Sequence, residues 1–532
     1  MTEERFAFLV AELEPADVPR IAYRTADHTL VQVWHFEAPA EITLRFRGRL
    51  TPPALLEITE VSPRPPVRAE TLLSAEGTTL GLAASALPAG ARITIDAAGA
   101  DSAGWRLEDG GAAITLAVRR AVELEVAATL EGGPRADSPA SPRAGSAPSA
   151  VRRSAPLWPD DARVFAPTRH RDALARIADG ALRYVTGCAL LRVAPGEACL
   201  LTDHRLLPLS WTRDAYYQAL LLLAAAGPGH PEIVADHLRW LFGRCRREGG
   251  VWQRSHLANG EPKDLAYQAD QQLFPVLELL DFHQATGSWP ALPGTGTEVP
   301  VAAWGRLVDA VWRALPIAPS GLVRTDENPA DDPSSLPHSL SVQILAWYVV
   351  RRLAGVATEL GLDGAGLSDT AETIRDATER ELTAPGPHGA QWAYEADGRG
   401  ATRLYADAND VPTALAPAWG FCSAEDPVWR ATMRFAFDEA NPAYRPGPWG
   451  GLGSLHTPGT WPLGDAQEWL FAGATGDRER AGRALDRLTG VASSDGLLPE
   501  AYDPRTGAWT ARHWFAWPAA LVGALAVSAL GR

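Results

Sequence analysis

The sequence predicts a mainly α-helical protein, an (α/α)6 helical barrel preceded by an all-β sandwich domain. Three observations carry this: short alternating strands up to about residue 132, a Pro/Ser/Ala-rich stretch without core-forming residues, and twelve amphipathic helical segments after it. A chain of 532 residues also exceeds the roughly 250–300 at which a single core stops growing, so two domains are expected.

The first domain, 1–132, holds alternating runs such as Leu30-Val31-Gln32-Val33-Trp34 and Glu41-Ile42-Thr43-Leu44-Arg45-Phe46 between Pro/Gly turns. Residues 133–160, with Pro139-Ala140-Ser141-Pro142-Arg143, cannot bury a core and read as a linker. In the third part, 161–532, helical periodicity appears near 171–186, 213–226, 231–246, 265–286, 301–314, 336–356, 368–382, 410–419, 427–440, 461–473, 477–491 and 514–530. Six helical hairpins close a double ring. A four-helix bundle needs fewer helices, and a solenoid would show a fixed period that is not found.

Forty-nine basic against 64 acidic residues give a net charge of −15, which opposes phosphate backbones and anionic membranes and suits a neutral partner. The start, Met1-Thr2-Glu3-Glu4-Arg5, lacks a basic then apolar leader, and no apolar run of about 18 residues is expected to cross a membrane. A soluble, cytoplasmic protein is the expectation. Cys188, Cys199, Cys245 and Cys422 are too scattered for a disulfide framework or zinc cluster and are expected to be reduced and structural.

Polar groups set among aromatics cluster in the loops: Trp211-Thr212-Arg213-Asp214, Pro329-Ala330-Asp331-Asp332-Pro333, Tyr405-Ala406-Asp407-Ala408-Asn409-Asp410, Gly453-Ser454-Leu455-His456-Thr457-Pro458 and Pro499-Glu500-Ala501-Tyr502-Asp503. In a helical barrel such loops converge at one end. Trp211, Arg213, Asp214, Asp270, Asp407, Asn409, Asp410, His456, Thr457 and Trp461 are therefore expected to bind a ligand there, with Asp214 and Asp407 as the leading hydroxyl acceptors. Tryptophan faces stack on the C–H surface of a sugar while carboxylates take its hydroxyls, although most of the 19 tryptophans belong to the core.

Glycoside hydrolysis needs one protonated and one ionised carboxyl group. Asp331 and Asp332, between prolines, are placed at a helix start, where like charge and the helix dipole would separate their behaviour; an N-cap role explains the same residues equally well. Glu500 stands in a loop before the aromatic stretch Trp514-Phe515-Ala516-Trp517, and Arg213-Asp214 reads as an ion pair, structural or hydroxyl-binding.

The segments Gly451-Leu452-Gly453-Ser454-Leu455-His456-Thr457-Pro458-Gly459-Thr460-Trp461-Pro462 and Gly496-Leu497-Leu498-Pro499-Glu500-Ala501-Tyr502 resemble the metal-independent exo-α-mannosidases of glycoside hydrolase family 125. Agreement extends to Trp211-Thr212-Arg213-Asp214, Tyr267-Gln268-Ala269-Asp270, Ala330-Asp331-Asp332 and Tyr394-Glu395-Ala396-Asp397-Gly398, and covers most of residues 200 to 520. The segment around Glu500 is also similar to the catalytic-base region of family 15 glucoamylases. The resemblance implies Glu500 as general base, one aspartate of the Asp331-Asp332 pair (Asp331 favoured) as general acid, inversion at the anomeric carbon, no cofactor or metal, and an α-linked carbohydrate substrate. Mannose leads and an α-glucoside is the alternative. Two other readings stay open: a non-catalytic glycan-binding protein, and a lyase or epimerase with His456 as base.

Overall fold

In a computed structural model, the described residues are the backbone of ten N-terminal strands and residues 164 and 166–531, apart from 204–206, 292–300, 493–495 and 512–514. The proposed linker, 133–160, lies outside them. The strands are β1 (Glu12–Glu14), β2 (Arg20–Ala26), β3 (Thr29–Phe36), β4 (Ala40–Arg47), β5 (Thr71–Glu76), β6 (Thr79–Ala84), β7 (Ala91–Asp96), β8 (Ala100–Glu108), β9 (Gly111–Val118) and β10 (Val122–Leu130). They pair antiparallel in a four-stranded sheet, β1-β4-β9-β8, and a six-stranded sheet, β2-β3-β10-β7-β6-β5.

The helical part is two nested sets of helices. The inner set is α2 (Thr212–Ala225), α4 (Asp270–Thr286), α6 (Leu340–Leu360), α8 (Val411–Trp419), α10 (Pro462–Thr475) and α12 (Ala516–Leu530). Each packs against the next in this order, and α12 packs back on α2, so the ring is closed. Between them in the chain run α1 (Arg171–Tyr184), α3 (His230–Arg239), α5 (Val301–Ala314), α7 (Gly364–Leu382), α9 (Pro427–Ala436) and α11 (Arg478–Val491). Composition explains the sorting. In α12 every residue from Ala516 to Val527 is buried, an all-round apolar helix that only an interior site accommodates. In α11, Arg478, Glu479, Arg483 and Asp486 face outward while Ala481, Ala484, Leu485 and Leu488 pack inward.

One expectation is corrected here. Leu340–Leu360 is long and apolar enough to cross a membrane by length and composition, contrary to the reading that no such segment exists; in the barrel it is mostly buried as inner helix α6. Helix α4 also starts at Asp270 rather than near 265, because Pro262–Asp264 pairs as a strand with Ser255–His256.

Direction matters for function. Trp211, Ala269, Ser339, Asp410, Trp461 and Phe515 are the residues at which the inner helices begin. Short antiparallel hairpins, such as Leu190–Ala194 with Glu197–Leu200 and Ala501–Tyr502 with Trp509–Ala511, fill the connections on that side. The partial positive charge of these N-termini favours carboxylates in the first turn, where Asp214, Asp270 and Asp465 stand.

Candidate active site

Where these N-termini meet, a pocket is lined by residues from several loops. Trp211, Arg213 and Asp214 come from the start of α2, Asp331 with Pro329 and Ala330 from the 324–338 connection, and Asn409 from the turn before α8. His456 and Trp461 come from the approach to α10; Glu500, Phe515 and Trp517 come from the approach to α12 and its first turn. The space within the pocket and its open mouth is about 410 Å³.

Asp331 does not start a helix, so the N-cap alternative falls: α6 begins at Leu340. It sits at the tip of a tight turn with φ of 65°, one of two non-glycine residues among those described in the left-handed region. Aspartate tolerates that region better than most residues, yet it still stores of order 1 kcal/mol, so the surroundings must impose it. Asn328 does so: its Oδ1 accepts from the amides of Ala330 (2.9 Å) and Asp332 (3.2 Å), and its carbonyl accepts from Asp331 N (3.0 Å). The result turns the Asp331 side chain into the pocket. Asp332 faces the mouth instead, where it is 45% exposed and its Oδ1 lies 3.2 Å from Nδ1 of His456.

Arg213 organises the floor. Its Nη1 donates to Asp270 Oδ2 (3.0 Å) and Gln268 Oε1 (3.2 Å), its Nη2 to Asp331 Oδ1 (3.2 Å), and its Nε stands 3.5 Å from Asp214 Oδ2. The guanidinium also lies over the Trp517 ring at 4.6 Å. Burial works against its charge, but Asp331, Asp270 and Asp214 outweigh that and hold it more firmly protonated than an ordinary arginine. Asp214 accepts a further bond from Thr202 Oγ1.

Glu500 is 3% exposed and enters from the other side. The following Tyr502 fixes its backbone through reciprocal bonds with Thr460 (2.9 Å each) and through its hydroxyl, which donates to Asp465 Oδ2 at 2.5 Å. Asp465 is pushed up to about 6 by burial, with Arg487 pulling the other way.

Four expected ligand-binding residues do not line this pocket. Asp270 lies behind Arg213. Asp407 spends its oxygens inside its own loop, accepting from Tyr405 Oη, Ser454 Oγ (2.9 Å) and both nitrogens of Asn409 (2.9 and 2.8 Å), and thereby aims Asn409 at the pocket. Asp410 accepts from Ser341 Oγ (2.6 Å) and is raised well above the ordinary carboxylate range by burial and then by Asp407. Thr457 contributes its carbonyl to Trp461 Nε1 (2.9 Å). Conversely, Thr202, Leu207, Phe515 and Trp517 line the pocket without having been singled out, although Phe515 and Trp517 stand in the aromatic stretch noted beside Glu500. Among the described residues, the indole nitrogens of Trp211 and Trp517 are buried without a hydrogen-bond partner.

Residues 310–527 match the family model described as metal-independent alpha-mannosidase (GH125). Over those residues the barrel resembles the family 125 glycoside hydrolases. A Streptococcus pneumoniae metal-independent α-mannosidase, solved with α-1,6-mannobiose, is similar in structure at 19% identity, TM-score 0.56, covering 68% of this chain and 94% of its own. A bacterial glucoamylase complexed with acarbose aligns at 12% identity and TM-score 0.61, covering 96% of this chain and 81% of its own. A Saccharomycopsis fibuligera glucoamylase gives 11% identity and 0.51, covering 72% and 98%. These likenesses place the helical fold among those of the mannosidases and glucoamylases. No curated protein matches the chain.

Proposed function

We propose that the barrel is an inverting exo-glycosidase that removes a terminal α-mannosyl unit, with Asp331 as general acid and Glu500 as general base. The observation that carries this is one small pocket receiving two carboxylates from separate loops, walled by Trp211, Trp461 and Trp517 and floored by Arg213 and Asp214. Release from a chain end is taken from the resemblance to the metal-independent exo-α-mannosidases. In the reaction Asp331 gives its proton to the glycosidic oxygen as the C1–O bond breaks. Glu500 takes a proton from a water whose oxygen bonds to C1 from the opposite face, leaving the inverted sugar and the freed alcohol. Such a pair is expected to stand about 6.5 to 9.5 Å apart, leaving room for the water. The two N-terminal sheets are proposed to pack as a β-sandwich ahead of this barrel.

An α-glucoside is the second reading, favoured by the glucoamylase likeness that extends over nearly the whole chain. A panel of aryl α-mannosides and α-glucosides separates the two, and no turnover on any glycoside would leave only glycan binding. Proton NMR of the first-formed sugar is expected to show the inverted anomer; a retained anomer removes the acid/base assignment. Asp331→Asn should keep activity on a glycosyl fluoride, whose leaving group needs no proton, and lose at least about 100-fold on a disaccharide.

A further inference from the structure

Next to Asp331, outside the lining of the pocket, a second carboxylate is coupled to it. The Gln268 side-chain nitrogen donates to Asp331 Oδ1 at 2.7 Å and to Glu327 Oε2 at 3.0 Å. The orientation of this amide is determined by its other end, because Gln268 Oε1 accepts from Arg213 Nη1 (3.2 Å) and Gln271 Nε2 (3.0 Å). A flipped amide would set oxygen against two carboxylates and nitrogen against two donors. Arg254 completes the arrangement: its Nη1 reaches Glu327 (3.3 and 3.4 Å) and the Asp331 carbonyl (3.4 Å).

We propose that Glu327 and Gln268 are positioning residues for the acid: Gln268 holds Asp331 Oδ1 as an acceptor, so that the transferable proton resides on Oδ2, and the Glu327 charge next to it keeps that proton in place. The inference rests on Asp331 being the acid. Two donors, Gln268 Nε2 and Arg213 Nη2, already point at Oδ1, and a proton there would face both. Oδ2 is therefore the atom that serves the glycosidic oxygen. A negative Glu327 disfavours a second negative charge on Asp331 and opposes the Arg213 guanidinium. Burial pushes Glu327 itself up from the ordinary range, with Arg254 and Gln268 pulling against it. The other charged groups around Asp331 are Asp214 from α2 and Glu500 from the approach to α12, which line the same pocket, Asp270 from α4, Arg254 from the hairpin before α4, and Asp332 with its partner His456 at the mouth.

The test is the pH profile of Glu327→Gln on a substrate with a poor leaving group and on a glycosyl fluoride. With the disaccharide, the alkaline limb of kcat/KM should move down by roughly one pH unit, with turnover at neutral pH falling about tenfold, while the fluoride profile and the acid limb stay unchanged. Glu327→Asp should restore most of the limb. Equal loss on both substrates, or an unmoved limb, would overturn the proposal. Should Glu327→Gln fail to fold, Gln268→Met supplies the same comparison: it should lose disaccharide activity at least tenfold more than fluoride activity, and equal losses count against the proposal. Asp331→Asn run alongside keeps the two readings apart. If it shows no leaving-group dependence, the acid is misassigned; if it does and Glu327→Gln has no effect, only the present inference fails.

Discussion

Arg213 concentrates the electrostatics of the pocket in one side chain, bonding Asp270, Gln268 and Asp331 through its two terminal nitrogens. A lysine has the charge but not the planar fork, so Arg213→Lys leaves buried carboxylates unmatched. Losing even two charge-assisted bonds at about 1.5 kcal/mol each amounts to about 3 kcal/mol, or roughly 100-fold. We expect kcat/KM to fall at least that far on disaccharide and fluoride alike, together with a lower Tm. Near-normal kinetics would mean that the fork geometry is dispensable. The contrast with Asp407 shows where the sequence stopped being legible at this scale. Both are charged residues beside aromatics, Arg213 in the first turn of α2 and Asp407 in a loop, but Asp407 accepts from the amide two residues on, as aspartate in a turn commonly does, and is consumed locally. The acidic residue could be read; the direction of its donors could not.

At the scale of elements, inner helices were readable because continuous apolar character admits few other homes, and outer helices because their apolar stripe repeats at helical spacing. The strained turn carrying Asp331 left no such period, since it is held by Asn328 and by contacts with Gln268 and Arg213 that are distant in sequence. Close helix approaches were equally invisible. A Cβ on Gly464, in the first turn of α10, would stand 2.1 Å from the Leu452 carbonyl oxygen, and one on Gly305, in α5, would stand 1.9 Å from that of Leu360. Both substitutions to alanine should destabilise by about 1–3 kcal/mol. Their functional effects should differ. Leu452 leads into the connection that carries His456 and Trp461 to the pocket, so Gly464→Ala should also raise KM or lower kcat several-fold at temperatures where it is folded. Gly305→Ala, packed against the end of α6 away from the pocket, should lose only Tm. Kinetics of the two variants well below their melting points decide this, and equal kinetic losses would contradict it.

Over the whole molecule, burial of ionisable groups makes stability depend on pH in two opposing ways. Asp465 lies at about 6 in the folded chain against 3.8 for an ordinary aspartate, burial being the main cause. Between those values the folded form keeps a proton that the unfolded form gives up, so this group's contribution to stability falls as pH rises from about 4 to about 6 and is then constant. Asp270, Asp407 and Asp410 are raised by burial and act in the same sense. His256 acts in the opposite sense: burial lowers it to about 4 from 6.5, so the unfolded chain takes up a proton first and stability is lost as pH falls through that window. Opposed titrations flatten the Tm profile of the parent and hide both terms. Variants expose them. Asp465→Asn keeps an acceptor for Tyr502 without a charge to bury, so its Tm relative to the parent should improve by a few degrees, or roughly 1–3 kcal/mol, between pH 4 and pH 7. His256→Gln can still donate to the Arg246 carbonyl, which lies 3.3 Å from the histidine Nε2, and its relative Tm should improve in the reverse direction, as pH falls from about 6.5 to about 4. Differences that stay flat across both windows, or that run the same way in both variants, would show that these side chains are not held in the protonation states their burial imposes.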